Sequence, residues 1–312
     1  MPSPTPLEPA PAAFAAGRPL FLKREDAHEL GAFKWRGALP TLERFRERGA
    51  AAVVTASTGN HGAATAWAAE RTGMRALVFL PAEASAAKLR LLADLGAELH
   101  QEGADLDESK DHARAYAAER RLPFFEDGAE PAQYEGYEAI GREIVAQLGE
   151  RPGLVPVPVG NGALLIGVAR GLGGGAAGVV SKEAPVMAWS VAAGRPVECD
   201  RSATFADGLA VRVAVPLAVR ELVSLGTPFV EVSDRAIARA VASFARAGIR
   251  VEGSAGASLA ALEALGASGR LGRTRSEALQ QPDGPVVLMV CGSNIDDDLH
   301  RRAVEDPESF PD

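Results

Sequence analysis

Strand-like and helix-like segments alternate along this 312-residue chain at roughly 25 residues per unit, and that rhythm most constrains its fold. Ala50–Ala56 reads as a short buried strand. It runs into Ser57-Thr-Gly-Asn-His-Gly and an alanine-rich helix to Arg71. Arg75–Leu80 is the next strand, stopped by Pro81. Apolar residues at helical spacing fill Ser85–Leu95 and end at Gly96. Glu98-Leu-His is extended, and Asp107–Arg120 is a polar amphipathic helix. Further on, Tyr137–Leu148, Leu164–Leu172, Asp234–Ala247 and Ser258–Leu265 read as helices, Gly153–Val159 as extended chain and Pro285–Cys291 as a β-branched strand. Gly173–Gly178 reads as a flexible turn, and the tail from Asp296 as polar and peripheral. Parallel strands need long crossovers, usually helical, so the pattern predicts an α/β protein. The expectation is two three-layer α/β/α domains with mostly parallel twisted sheets. A large domain is formed by residues 1–49 and 131–312, and residues 50–130 form a small inserted one.

Composition narrows the function classes. The net charge is −8 with no Lys/Arg-rich run, which argues against nucleic acid and anionic membranes as partners. The chain is 47% hydrophobic with a mean hydropathy near zero, enough for a sizeable core, but aromatics make up only 5%. Alanine, valine and leucine must therefore build it. Two cysteines, Cys199 and Cys291, form no disulfide framework and fit a reducing cytoplasm. The opening Met1-Pro-Ser-Pro-Thr-Pro-Leu shows neither a basic nor an apolar leader region, and no apolar run reaches the roughly 20 residues of a membrane span. The expectation is a cytoplasmic globular protein.

Three loops share one design, in which a buried strand ends, small or polar residues follow and a helix begins: Ser57–Gly62, Gly160–Ala163 and Gly292–Asn294. In open α/β sheets ligands sit at the carboxyl ends of strands, and the unsatisfied N–H groups of a helix N-terminus attract anions. Two such loops point to a ligand with two anionic groups, although each alone also reads as an ordinary β–α turn. Gly173-x-Gly175-x-x-Gly178 spells a dinucleotide fingerprint but follows a helix rather than a strand, so it fails on context. No His or Cys pair has metal-ligand spacing, and neither a serine-hydrolase elbow nor a P-loop is present. Lys34, between Phe33 and Trp35, reads either as a lysine packed on rings or as an amine whose partly apolar setting favours imine formation.

Taken in order, these segments resemble the serine/threonine dehydratase group of fold-type II pyridoxal-phosphate enzymes, part of the tryptophan synthase beta-like superfamily. Thr5-Pro-Leu resembles the opening TPL. Leu22-Lys-Arg-Glu-Asp with Ala32-Phe-Lys-Trp-Arg-Gly-Ala resembles LKRED followed by SFKxRGA. Thr55-Ala-Ser-Thr-Gly-Asn-His-Gly resembles the SxGNHG loop, and Pro158-Val-Gly-Asn-Gly-Ala-Leu the PxGGGGL loop. Phe205-Ala-Asp-Gly-Leu-Ala-Val resembles IADGIAV, Glu252-Gly-Ser-Ala-Gly-Ala resembles EPAGA, and Val290-Cys-Gly-Ser-Asn-Ile-Asp resembles xSGGNID. One such motif is weak, whereas seven in register are strong.

The resemblance implies pyridoxal 5'-phosphate as cofactor and a small amino acid as substrate. Lys34 is implied as the Schiff-base lysine and the base for the Cα proton, with Phe33 packed near the ring. Gly160, Asn161, Gly162, Ala163 and Leu164 are implied to hold the phosphate, Asn60 the ring O3′, and Cys291 the pyridine nitrogen. Ser57, Thr58, Gly59 and His61 are implied to cradle the substrate carboxylate, and Glu135 to border its side chain. The activity implied is α,β-elimination of water from threonine or serine, giving a 2-oxo acid and ammonia. A neutral thiol at the ring nitrogen favours elimination over transamination. Departures keep alternatives open. Ala32 replaces a serine, Asn161 interrupts a glycine run, and Glu135 replaces a glutamine. Thr58 puts a hydroxyl where racemases carry one and so becomes a candidate second catalytic residue. An amino-acid racemase, a β-replacement or threonine-synthase-like enzyme, and a non-catalytic cofactor binder are the other readings. No metal is expected, a homo-oligomer such as a dimer is, and the chain length implies no C-terminal regulatory domain.

Overall fold

The computed structural model describes residues 3–14, 17–200, 202–267 and 284–312. In chain order the first elements are β1 (Leu7–Pro9), β2 (Leu20–Arg24), α1 (Trp35–Glu47), β3 (Ala52–Ala56), α2 (Asn60–Thr72), β4 (Arg75–Leu80), α3 (Ala86–Asp94), β5 (Glu98–Gln101) and α4 (Leu106–Arg120). Then come α5 (Pro131–Leu148), β6 (Val155–Pro158), α6 (Ala163–Leu172), β7 (Ala176–Ser181), α7 (Val186–Ala193), α8 (Pro216–Leu225) and β8 (Phe229–Val232). The last are α9 (Asp234–Arg246), α10 (Gly253–Ala267), β9 (Val286–Val290) and α11 (Asp297–Glu305). Apart from β1–β2, the paired strands described run parallel, as the alternation predicts for an α/β protein.

Two compact units make up the chain: residues 1–32 with 137–312, and residues 33–136. The sequence alone puts the breaks after residues 49 and 130. In the structure α1 packs along α2, so residues 33–49 go with the smaller unit.

The smaller unit is built on the sheet β3-β4-β5, prolonged by a parallel bridge from Val54 to Phe124. Val53, Val54, Val78, Phe79 and Leu80 are buried, so these strands are apolar on both faces, as strands covered by helices on both sides must be. Helices α2 and α4 pack on β3 and β4. Asp105 caps α4 by accepting from the Glu108 N–H, and Ser85 caps α3 by accepting from the Lys88 N–H. The first and last segments of this unit touch: a Cβ on Gly136 would overlap the carbonyl oxygen of Arg36, so only glycine fits there.

In the larger unit β1-β2-β9 and β6-β7-β8 are joined through Leu154, which bridges in parallel to Val286. All five residues of β9 are buried. Gly173–Gly178 is not a flexible turn along its length. Ala176-Ala-Gly already belongs to β7, buried throughout, where a Cβ on Gly178 would meet Leu165 and Phe229 at 2.8 Å. Nor is the tail merely peripheral. Helix α11 buries Ala303 and packs on α9, and Phe310 is buried behind it.

The N-terminal Thr5-Pro-Leu segment is fastened by one buried cation. Lys23, fully buried on β2, donates to the Thr5 carbonyl at 2.8 Å, to Glu143 on α5 at 2.6 Å and to Gln147 at 3.0 Å. The Thr5 hydroxyl donates to buried Glu25 at 2.6 Å. Removing one partner of a buried pair leaves the other charge uncompensated, at a cost of roughly 3–5 kcal/mol. Lys23→Met should therefore lower the unfolding free energy in urea by about 3 kcal/mol. The double variant Lys23→Met/Glu143→Leu should recover most of the loss.

Candidate functional site

In the smaller unit, Lys34 sits in the cap position where the chain enters α1, with its Nζ 5.3 Å from the Phe33 ring centroid. Its ammonium meets Oδ2 of Asp127 at 2.5 Å. The other oxygen of that carboxylate accepts from Gln133 Nε2 at 2.9 Å, and Gln133 Oε1 accepts the Gly128 N–H at 2.8 Å. The first turn of α5 thus clamps the Asp127-Gly128 corner, helped by the Tyr134 hydroxyl, which donates to the Gly128 carbonyl at 2.5 Å. His61, buried in the first turn of α2, lies with Nδ1 3.7 Å from Asp127 Oδ1 and Nε2 3.1 Å from the Phe125 carbonyl. A carbonyl only accepts, so Nε2 donates and Nδ1 is the bare nitrogen of a neutral ring.

The turn from β3 into α2 shapes the rest of this half. Ser57 Oγ accepts from the Gly59 N–H at 3.2 Å, and Gly59 caps a helix that no side chain caps. A Cβ on Gly62 would come within 2.8 Å of the Ser57 carbonyl oxygen, so the close return of the turn needs glycine there. Thr58 and Asn60 are half-buried in this turn, Asn60 opening the helix. Burial pushes the His61 imidazole down and the Asp127 carboxylate pulls it up, but with the Lys34 ammonium nearby the ring ends below its ordinary value. Burial pushes the Asp127 carboxyl up, yet the Lys34 ammonium and the bonds from Lys34 and Gln133 hold it below the usual carboxylate range.

The larger unit gathers the remaining motifs. The loop after β6 leads through Gly162, at φ 91°, into α6, whose N-terminus no side chain caps. The first helical bond runs from the Ile166 N–H to the Gly162 carbonyl, so the N–H groups of Ala163 and Leu164 precede the ladder. A Cβ on Gly160 would overlap the Gly208 carbonyl oxygen, and one on Gly208 would overlap Ser254 Oγ. Glu252, 7% exposed, lies with Oε1 4.0 Å from Cys291 Sγ, and a Cβ on Gly292 would come within 2.6 Å of its Oε2. The Gly160 loop, Ala206-Asp-Gly, Glu252-Gly-Ser and Cys291-Gly thus touch one another in sequence. Just before Phe33, Ala32 bridges to Gly292, and the Ser293 N–H donates to the Gly31 carbonyl at 2.9 Å.

Of the expected residues, Lys34 and His61 gather on Asp127 within the smaller unit with Phe33 against Lys34, and Gly160 and Cys291 belong to one contact chain within the larger. Glu135 is half-exposed and paired with Arg44 on α1 rather than with any of them. Asp127 and Glu252 carry no expected role. Glu252 lies inside a motif, whereas Asp127 follows Phe125 in a stretch without periodicity. Among the described residues no cluster of three or more metal-ligating side chains forms, and no helix is long and apolar enough to cross a membrane.

Each unit by itself offers groups of the kind pyridoxal phosphate uses: the smaller a lysine amine against an aromatic face, the larger an uncapped helix N-terminus that suits a phosphate and a buried thiol that suits a pyridine nitrogen. A family model described as pyridoxal-phosphate dependent enzyme matches residues 2–292, and the chain belongs to that family. The human L-serine dehydratase/L-threonine deaminase is 33% identical over 90% of this chain and 87% of its own length. A biosynthetic L-threonine dehydratase from Pasteurella multocida is 33% identical over 63% of this chain, a match that spans only 39% of that relative's length. Among solved structures, the processed form of threonine deaminase isoform 2 from Solanum lycopersicum superposes with a TM-score of 0.88. It shares 26% identity, with 97% of this chain and 88% of that one covered.

The buried neutral His61 has a testable consequence. Below about pH 6.5 the unfolded chain protonates this ring and the folded one resists. Its stabilisation is therefore complete above that pH and is lost as the pH falls. His61→Gln, which keeps a donor for the Phe125 carbonyl, should flatten the decline of the urea midpoint between about pH 7 and about pH 5. The contribution of Asp127 persists further, fading only below the ordinary carboxylate value of about 4.

Proposed function

We propose that this protein is an ammonia-lyase that eliminates water from a small β-hydroxy amino acid such as threonine or serine, giving a 2-oxo acid and ammonia. What carries the reading is the human serine dehydratase/threonine deaminase relative, matched over 90% of this chain, together with Lys34 set against Phe33. Bound pyridoxal phosphate supplies an electron sink for the pair left when the Cα–H bond breaks. Lys34 Nζ accepts that proton. The N–H groups from Gly160 to Leu164 hold the phosphate at the positive end of α6. Ser57, Thr58, Gly59 and His61 hold the substrate carboxylate, again at a helix N-terminus, and Asn60 bonds the ring oxygen. The Cys291 thiol faces the pyridine nitrogen without enforcing its protonation. We assign the protein to the cytoplasm and to a homo-oligomer.

A panel of β-hydroxy amino acids, assayed for 2-oxo acid and ammonia with the holoenzyme, tests this. At least one member should be converted, and Lys34→Ala should abolish both the conversion and the visible absorbance of the bound cofactor. Inversion of stereochemistry without 2-oxo acid would make the enzyme a racemase instead. Cys291→Asp should shift the absorbance of bound intermediates to the red and lower elimination by roughly tenfold or more, because a carboxylate favours a protonated ring.

A further inference from the structure

We propose that Asp127 is the positioning residue for Lys34: its carboxylate fixes Nζ and receives the ammonium that Nζ becomes on accepting the Cα proton. This rests on the dehydratase reading for the reaction it serves, but not for the pairing itself. Nζ lies 2.5 Å from Oδ2, while Oδ1 is held by Gln133 and faced by His61, so the carboxylate cannot swing away without breaking bonds on both sides. Gln133 in turn holds the backbone of the Asp127 corner through the Gly128 N–H. A flexible four-carbon stem acquires one defined end point, and it does so in a setting where Lys34 and Asp127 are only 17% and 21% exposed.

The proton step balances around this pair. As the Cα–H bond breaks, the proton forms an N–H bond on the neutral Nζ, and bound pyridoxal phosphate would take up the electron pair left behind. The new positive charge then lies against a carboxylate already held in place. A charge-assisted bond of this kind is stronger than a neutral one, and it is available only to the protonated product of the step. Lys110 also bears on this corner, but its ammonium and the Arg114 guanidinium are engaged by the neighbouring Glu126. Among the described residues, Asp127 is the carboxylate paired with Nζ.

The test uses Asp127→Asn, which keeps the shape and the oxygen that accepts from Gln133 but removes the charge. The first readout is the rate at which formaldehyde and cyanoborohydride methylate Lys34 in cofactor-free protein, followed by mass spectrometry with Lys88 as internal reference. Loss of the carboxylate should speed labelling of Lys34 roughly tenfold and leave Lys88 unchanged. The second is kinetics of the holoenzyme on whichever substrate the panel identifies. kcat should fall roughly tenfold to a hundredfold with KM little changed, and Asp127→Glu should restore part of it. Unchanged labelling overturns the pairing, and faster labelling with unchanged kcat overturns its part in the proton step. Faster labelling in a protein whose wild type yields no 2-oxo acid leaves the pairing standing and removes the dehydratase reading instead.

Discussion

Glycine backbone pressed against a neighbouring element, with no room for a side chain of its own, is the constraint on which the larger unit depends. The loop after β6 meets the carbonyl of Gly208 with no room for a side chain at Gly160. Gly208 has as little room beside the Ser254 hydroxyl, and Gly292 beside the Glu252 carboxylate. Each contact joins the end of one element to the start of another: β6 to the Ala206-Asp-Gly turn, that turn to α10, and α10 to the end of β9. Each glycine brings only its backbone to the contact, and Ser254 and Glu252 are themselves buried, so the chain of contacts has few soft degrees of freedom. It therefore fixes where the first N–H groups of α6 and the Cys291 thiol can be within this unit.

Much of this was legible in the residues. Strands β3 and β9 announce themselves as short β-branched runs and β4 as a short apolar one, and the motif segments stand where strands end. What escaped did so for physical reasons. Strand β7 begins with Ala-Ala-Gly, which carries no propensity signal. It is a strand because β6 and β8 flank it and because Leu165 and Phe229 occupy the space a larger side chain would need. Helix α1 went unread because it holds Pro40 and three arginines, yet it buries Trp35, Leu42 and Phe45. Asp127 is the instructive case within the candidate site. An aspartate beside a glycine reads as turn chemistry, and nothing local reveals that Lys34, 93 positions earlier, ends on its carboxylate. Glu135, which the resemblance places beside the substrate side chain, stands in the structure against Arg44.

The chain has only five lysines, and two of them show how setting decides what an ammonium does. Lys23 is fully buried and bonded to a carbonyl, a carboxylate and an amide oxygen, so every donor is engaged and the group serves only to hold the chain start against α5. Lys34 is partly exposed, lies against an aromatic face and meets a single fixed carboxylate. The first arrangement is closed to exchange, and the second leaves the amine accessible to chemistry.

Residues 33–136 have one more property, which follows from the overlap that only glycine avoids between Gly136 and the Arg36 carbonyl. The stretch leaves its host chain and returns to it at nearly the same point, so topologically it is an insert whose two stems are already side by side. Such a stretch can be exchanged between relatives, or spliced out and replaced by a short connector, without rerouting the host sheet. Lys34 and Asp127 lie near opposite ends of that insert and would travel together, so a chimera that borrowed the segment would inherit the amine and its carboxylate as one heritable part.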